Sequence, residues 1–398
     1  KVQRAWKRVK MYTYLIVFVV PALVVLGVRL GGAAAYLTPF VAFVLIPLLD
    51  LLVGEDRVNY TAEEEKAMDG ERYYRFVTYA FVPVYWGVLA YVVHGAIVGG
   101  WSLAEYAGNT WSMGILSGLG IVVAHELGHK ASRLEKRLAK ALLHPTFYGH
   151  FTQEHNLGHH LMVATPEDPA SSRFGESFWR FYPRTVFGTF RKNLALERQR
   201  LARAGRSAWS LANETWRNVL FPVVLTAAAY AAGALLAPEA PGLPGLGAGA
   251  TAALVVVVQA VLGFSLLEIV NYLEHYGLER RKLPNGKYER VTPLHSWNSN
   301  HLVTNGFLYH LQRHSDHHAW PARRYQTLRN FPEAPQLPTG YAGMIWLAAI
   351  PPLWFRVMDR RVLDFRERQA RPGAVEGGAG GAARGGGQPR RQLHRIFH

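Results

Sequence analysis

The sequence predicts an all-α integral membrane protein: six transmembrane helices carrying a histidine-rich, two-metal cap at the cytoplasmic surface. Three observations support this fold class. Apolar residues gather in runs long enough to cross a bilayer, Lys and Arg are concentrated in alternate loops, and histidines cluster at the ends of the apolar runs or just beyond them. Together they place the chemistry of the molecule at one membrane surface.

The apolar runs are the first of these observations. Of the 398 residues, 49% are hydrophobic. A helix needs about 20 mostly apolar residues to cross a hydrocarbon core that is about 30 Å thick. Six segments are predicted to span, and the fourth is short by itself but continues helically into a polar end. They are residues 11–30, 34–53, 76–98, 110–124, 219–237 and 248–271.

The distribution of Lys and Arg predicts the orientation. Five of the first ten residues are basic and segment 130–217 is rich in Lys and Arg, whereas the loops at 99–109 and 238–247 contain neither. The positive-inside rule therefore places the N-terminus and segment 130–217 in the cytoplasm. Because this topology accounts for most of the net charge of +16, we expect membrane lipid as a partner and no nucleic acid.

The predicted organisation is five successive regions. Residues 1–130 hold spans one to four, 131–217 form a cytoplasmic segment, 218–275 hold spans five and six, 276–365 form a second cytoplasmic segment, and 366–398 form a flexible Gly- and Arg-rich tail or linker. The pair Asn285-Gly286 predicts a hairpin turn. The apolar stretch 341–355 is interrupted by Pro351-Pro352, which favours a re-entrant or interfacial helix over a seventh span.

Four groups of histidines stand out among the seventeen in the chain. His-Glu-Leu-Gly-His at 125–129 places two imidazoles four residues apart, on one face of a helix that continues the fourth span. Segment 154–160 repeats this spacing, segment 314–318 combines spacings of three and four, and a single histidine ends the sixth span. The candidate ligands are His125, His129, His155, His159, His160, His275, His314, His317 and His318.

Nine imidazoles exceed what one metal ion binds, so the pattern predicts two metals. The chain contains no cysteine, which excludes disulfides, thiolate zinc sites and iron–sulfur clusters. Imidazole suits iron, copper, zinc and nickel, so ligand type leaves the metal open. We expect ordinary surface or hydrogen-bonding roles for His94, His144, His150, His394 and His398, and structural or ligand-supporting roles for His295, His301 and His310.

Two alternative functions compete at this stage. His125-Glu126-x-x-His129 also matches the zinc-protease pattern, in which the glutamate is the general base. That site needs only one further ligand and leaves the other clusters unexplained. A metal transporter or storage protein would line a path across the bilayer, whereas these histidines gather at one end.

The boxes His125-Glu-Leu-Gly-His129, Glu154-His-Asn-Leu-Gly-His-His160, Asn271-Tyr-Leu-Glu-His-Tyr-Gly277 and Leu311-Gln-Arg-His-Ser-Asp-His-His-Ala319 resemble those of the membrane di-iron superfamily of desaturases and hydroxylases. Within it they are most similar to the alkane 1-monooxygenases, over about residues 11–355. The resemblance implies two iron ions, O2 as co-substrate and terminal hydroxylation of n-alkanes to primary alcohols. It also implies a bacterial inner membrane and electrons from rubredoxin, itself reduced by rubredoxin reductase with NADH. A fatty-acid desaturase or hydroxylase shares most boxes and stays the alternative.

Residues around the ligands complete the predicted site. Metal-bound imidazoles usually donate their second N–H to a carboxylate or carbonyl. The candidates are Glu126, Glu154, Glu268, Glu274 and Asp316, of which Glu268 is expected to lie inside the membrane and either orient a ligand or relay protons. The expected lining of a substrate channel is Gly118, Ile121, Val122, Phe264 and Leu267. No protein nucleophile is expected, and the cations expected to dock an acidic electron donor are Arg133, Lys136, Arg137 and Arg313.

Overall fold

The structure, a computed structural model, describes residues 12–370, and in this part of the chain it contains helices and isolated β-bridges but no β-strand. The apolar runs show no period-two alternation, and as helices they form all their backbone hydrogen bonds within each segment. The helices are α1 Tyr14–Leu30, α2 Gly32–Val53, α3 Ala62–Gly70, α4 Arg72–Val98, α5 Leu103–Gly128, α6 Arg133–Leu143, α7 (151–162), α8 Phe178–Arg203, α9 Glu214–Leu236, α10 Ala248–His275, α11 Leu302–Phe307, α12 His314–Ala319, α13 Tyr341–Ala349 and α14 Pro351–Ala370.

The six predicted spans correspond to α1, α2, α4, α5, α9 and α10. Five of these helices are long and apolar enough to cross a membrane, and α1 is a shorter apolar helix. The first predicted span begins at residue 11, outside the described residues. The largest boundary difference is in α5, which begins at Leu103 rather than residue 110, because Ser102 and Glu105 form a reciprocal capping box.

Helices α5 and α10 form the centre of the bundle and both end at the histidines. Small residues allow their backbones to approach closely: a Cβ atom at Gly118 would lie 3.1 Å from Leu266 Cδ1, and one at Gly263 would lie 2.8 Å from Ser117 Cβ. Ser117 also donates a hydrogen bond to Gln259, which links the two helices through polar groups in the apolar bundle. This contact fixes where the two helix ends meet.

Segments 130–217 and 276–365 fold back over those ends. The predicted turn at Asn285-Gly286 is present: Leu283 N–H donates to Lys287 O at 2.7 Å and Gly286 has a φ of 78°. The stretch 341–355 is divided between α13 and α14, which meet at an angle of 119°, a bend that is typical of either a broken span or a re-entrant loop. Because α14 continues to Ala370, the predicted boundary of the tail at residue 366 is wrong; residues from Pro372 onward lie outside the described residues.

Candidate metal centre

The structure brings the nine predicted imidazoles together in two adjoining groups. In the first, which we call the five-histidine cluster, one nitrogen of each ring lies within 4.8 Å of the others. Nε2 of His155 lies 2.9 Å from Nε2 of His125 and 3.1 Å from Nε2 of His160, whose Nε2 is 3.2 Å from that of His317. The members are His125, His129, His155, His160 and His317.

The second group, the four-histidine cluster, is equally tight and fully buried. Nε2 of His318 and Nε2 of His314 are 2.8 Å apart, and the ring of His159 lies 4.9 Å from that of His275. The two clusters adjoin, since the His160 and His318 ring centroids are 4.4 Å apart. The members are His159, His275, His314 and His318.

The donor sets fit metal ions. Two nitrogens bound at right angles to a metal, each about 2.1 Å from it, lie about 3.0 Å apart, close to the Nε2–Nε2 separations above. Nε2 atoms of His129, His159 and His275 are buried without a hydrogen-bond partner, a cost that a metal ion would remove. Burial holds the pKa values of His155, His160, His314, His317 and His318 well below the usual range, which keeps these rings in the neutral form that binds metals.

A π-helical turn determines how the second histidine box divides. Residues His155–His159 form this turn within α7. It brings His155 and His160, five residues apart, into the same cluster, whereas His159 faces the other one. The four-residue spacing of His155 and His159 therefore does not place them in one cluster, because the local helix has a longer period than 3.6 residues.

Protein oxygen atoms contact three rings of the four-histidine cluster. Nδ1 of His159 lies 2.7 Å from Asp168 Oδ2, which leaves its Nε2 for a metal. Glu274 Oε2 is 3.1 Å from Nε2 of His314, so this predicted carboxylate can orient that ring or itself bind a metal. Nδ1 of His275 is 3.4 Å from the carbonyl oxygen of His295.

Sequence reasoning missed Asp168. It lies nine residues after His159, and the chain returns to the ring only because residues 165–172 form consecutive turns. Asp168 also accepts hydrogen bonds from Ser171 Oγ at 2.6 Å and from Ala170 N. Burial acts to raise the pKa of Asp168, but the His159 ring, Lys192 and Ser171 together lower it below its usual range, so the carboxylate is ionised.

The five-histidine cluster is more open. Within residues 12–370, no carboxylate lies within ion-pair distance of its rings, and two of its members, His129 and His160, are partly exposed. Instead, the ring of Phe151 stacks on His155 with centroids 4.7 Å apart. Packing, rather than hydrogen bonds to acids, orients these imidazoles.

The other four predicted carboxylates contact groups other than the predicted ligands. Glu126 pairs with Lys130 at 2.9 Å, which disfavours a zinc-protease base at this position. Glu154 lies 3.8 Å from Lys192, and Asp316 pairs with Arg329 at 2.8 Å. Glu268 accepts hydrogen bonds from Tyr148 (2.6 Å), Thr185 (2.8 Å) and Asn271 (3.1 Å).

A small apolar cavity of about 10 Å³ adjoins the five-histidine cluster at His125 and His317. Of the predicted channel residues only Val122 lines it. Gly118 packs against α10, Ile121 is buried in the core, Phe264 stacks on Tyr148 and Leu267 packs against the core. Glu126, from the same helix as Val122, also lines the cavity, and the other lining residues come from a distant part of the chain: Leu308, Tyr309, Leu311 and Leu328.

Among the predicted docking cations, Arg313 is misplaced. It is buried and donates hydrogen bonds to the carbonyl oxygens of Leu328 and Asp56, so it holds loops together. Arg133 and Arg137 are exposed and Lys136 is partly exposed on α6.

The remaining histidines have varied environments. His144, His301 and His310 contact Asn218, Ser299 and Tyr14, respectively, and His295 accepts a hydrogen bond from Thr292 N. His150 is buried beside an apolar cavity of about 600 Å³, and His94 lies within α4, outside both clusters. His394 and His398 lie outside the described residues.

Comparison with known proteins agrees with this geometry. The fatty acid desaturase family model matches residues 101–348, which include every member of both clusters. The chain is 45% identical over 327 residues to the alkane 1-monooxygenase of Acinetobacter baylyi, a match that covers 82% of this chain and 76% of the relative. It is 42% identical over 369 residues to that of Ectopseudomonas oleovorans, covering 89% and 86%.

The chain belongs to the alkane 1-monooxygenase family, within the fatty acid desaturase family. A more distant relative is the xylene/toluene monooxygenase hydroxylase component of Pseudomonas putida, 27% identical over 370 residues and covering 91% of this chain and 92% of the relative. Membership of the alkane 1-monooxygenase family and the apolar helices together identify a multi-pass membrane enzyme of the monooxygenase class.

Proposed function

We propose that the protein hydroxylates the terminal carbon of medium- or long-chain n-alkanes to primary alcohols, with O2, at a centre of two iron ions. The observation that carries the proposal is the pair of adjoining clusters, one of which borders an apolar cavity. When bound, the two ions supply the oxidising chemistry that breaks an unactivated C–H bond, which no protein side chain can do.

The residues of this chain supply binding and orientation. An alkane offers no hydrogen-bonding group, so only shape and burial can position it. The apolar walls beside His125 and His317 are formed by Val122, Leu308, Leu311 and Leu328. A methyl group placed there would contact apolar side chains and would not displace a polar group. The cavity is small, so it suits the end of a chain rather than its middle, which supports attack at the terminal carbon.

The same geometry excludes bulk water from the reacting carbon. His125 and His317 are buried, and Asp168 and Glu274 hold rings of the four-histidine cluster in a dry interior. An oxidant enclosed in this way reacts with the substrate rather than with solvent.

The sequence contains no cysteine, so it cannot itself form a cysteine-ligated iron site that would supply electrons to the proposed metals. We propose rubredoxin, reduced by rubredoxin reductase with NADH, as the donor. His129 and His160 are partly exposed, and Arg133 follows His129 by four residues on the chain. The cations Arg133, Lys136 and Arg137 would attract an acidic protein to this edge.

The proposed location is a bacterial inner membrane, with the N-terminus and the clusters in the cytoplasm. The positive-inside rule predicts this orientation.

The test combines metal analysis with product analysis on protein purified in detergent. With rubredoxin, its reductase, NADH, O2 and n-octane, we expect two irons per chain and 1-octanol by gas chromatography. The variant His317→Ala should form no alcohol, whereas His94→Ala, outside both clusters, should retain activity. One zinc per chain without oxidation would refute the proposal, and an alkene product would assign the chain to desaturation.

A further inference from the structure

A chain of tyrosine rings connects the cavity beside the five-histidine cluster with the protein surface. Tyr309 lines the cavity together with His125 and His317. Its ring stacks in parallel with that of Tyr14, with centroids 6.4 Å apart and planes inclined by 4°. The chain begins at the cluster that we propose reacts with O2.

The rings continue outward without a gap. Tyr14 lies 6.0 Å from Tyr74, which lies 5.4 Å from Tyr73, and Tyr73 lies 5.9 Å from Tyr12, all in edge-to-face contact. The side chain of Tyr12 is 59% exposed, whereas Tyr14 and Tyr309 are almost completely buried. A line of aromatic rings therefore runs from the buried cavity to the protein surface.

The Tyr14 hydroxyl has a base beside it. It lies 3.2 Å from Nε2 and 3.3 Å from Nδ1 of His310. Oxidation of a phenol in a buried site is favourable only if its proton moves at the same time to a nearby acceptor, because the phenol radical cation is a very strong acid. Tyr14 and His310 form such a pair, and His310 is not one of the predicted ligands.

The backbone that positions the pair is strained. Tyr309 and His310 have φ values of 51° and 55°, a left-handed conformation that bulky residues rarely adopt. Two such residues in succession persist only where the surroundings impose them. The strained pair turns the Tyr309 ring toward the cavity while His310 remains beside Tyr14.

We propose that Tyr309, Tyr14, Tyr74, Tyr73 and Tyr12 form a protective electron-transfer path that reduces the oxidised metal centre when O2 has reacted but no alkane is bound. This inference depends on the proposed function, since the oxidant is the metal centre after its reaction with O2. Without such a path, the oxidant would attack the ligand imidazoles and the apolar cavity wall.

One electron passes from Tyr14 across the Tyr309 ring to the oxidised centre, and the phenolic proton of Tyr14 moves to His310. An electron then reaches Tyr14 from Tyr12 across the rings of Tyr74 and Tyr73, which keep their phenolic protons, while the proton returns from His310 to Tyr14. Tyr12 releases its own phenolic proton to water. A solvent thiol gives Tyr12 one electron and one proton, the thiol becomes half of a disulfide, and every tyrosine is restored.

The test uses the iron-loaded, reduced full chain mixed rapidly with O2 without alkane and frozen for electron paramagnetic resonance. We expect a tyrosyl radical whose hyperfine structure collapses when the protein contains ring-deuterated tyrosine. Tyr14→Phe keeps the ring but not the phenol, so it should lose this radical and inactivate in fewer turnovers without alkane. Its alcohol formation with saturating alkane should stay unchanged. Tyr85→Phe, a buried tyrosine outside the path, should behave as wild type.

The outcomes separate this inference from the proposed function. Wild-type protein that forms alcohol but no tyrosyl radical overturns the electron-transfer path alone. A radical that persists undiminished in Tyr14→Phe also overturns it. Iron-loaded protein that neither consumes O2 nor oxidises alkane overturns both.

Discussion

Both clusters consist of histidine side chains, but the groups that hold their rings in place differ. Three rings of the four-histidine cluster contact Asp168, Glu274 and the carbonyl oxygen of His295. The five-histidine cluster borders the apolar cavity and leaves His129 and His160 partly exposed. From this difference we propose that the four-histidine cluster is held fixed and that the five-histidine cluster meets substrate and electron donor.

The largest expected effect comes from removing a ligand of the four-histidine cluster. His275→Ala leaves three imidazoles in a buried site, so we expect loss of one metal and an activity at least roughly 100-fold lower, exceeding the effect of a lost supporting residue. Removing His160 leaves four imidazoles in the five-histidine cluster, so a smaller loss of metal is expected. Metal content per chain, measured by plasma mass spectrometry, compares the two variants. Equal metal loss in both would contradict the proposed difference.

The next effect tests the carboxylate support. Asp168→Asn removes the charge that orients His159, and a loss of about 10–100-fold in metal affinity or activity is expected. The matched control is Glu167→Gln, whose exposed carboxylate accepts a hydrogen bond from the hydroxyl of Tyr288 and lies outside both clusters. Metal titration with a competing chelator would report the affinities. An Asp168→Asn variant that binds metal like wild type would show that His159 needs no such support.

Cavity size at the five-histidine cluster should control regiochemistry. Leu311→Ala opens space beside His125 and His317, so part of an alkane chain can slide past the terminal position and subterminal alcohol should appear. One methylene in an apolar site is worth about 1–3 kcal/mol, or about 10–200-fold in discrimination. Gas chromatography of the alcohols from n-octane measures the ratio. Leu267→Ala, outside the cavity, is the control, and the same product ratio in both variants would place the reacting carbon elsewhere.

Substitution of Glu126 is expected to have the smallest effect on activity. Glu126→Gln weakens its buried pair with Lys130, so we expect a loss of stability of about 1–3 kcal/mol with both metals retained. Thermal unfolding in detergent and metal analysis would separate the two quantities. If activity fell to zero while metal content and stability stayed normal, Glu126 would have a catalytic role that its contacts do not support.

Glu268 shows how far sequence could predict a polar residue inside the membrane. Its burial was predictable from its position on the sixth span, and it is buried. Its contacts were not, since Tyr148 and Thr185 come from a loop and from α8 that pack against α10. Its role in proton transfer stays a prediction, which a Glu268→Gln protein with normal iron content and full turnover would contradict.

The sequence by itself determined the helical class, six apolar segments and the identity of the nine histidines, because hydrophobic run length and imidazole spacing are local properties. Tertiary structure decided how those histidines divide. A π-helical turn placed His159 in a different cluster from His155, and turns after α7 returned Asp168 to the His159 ring. Leu308 and Tyr309 reach the site from a distant part of the chain. These contacts depend on how helices and loops pack against one another, which a periodic spacing of residues along the sequence does not specify.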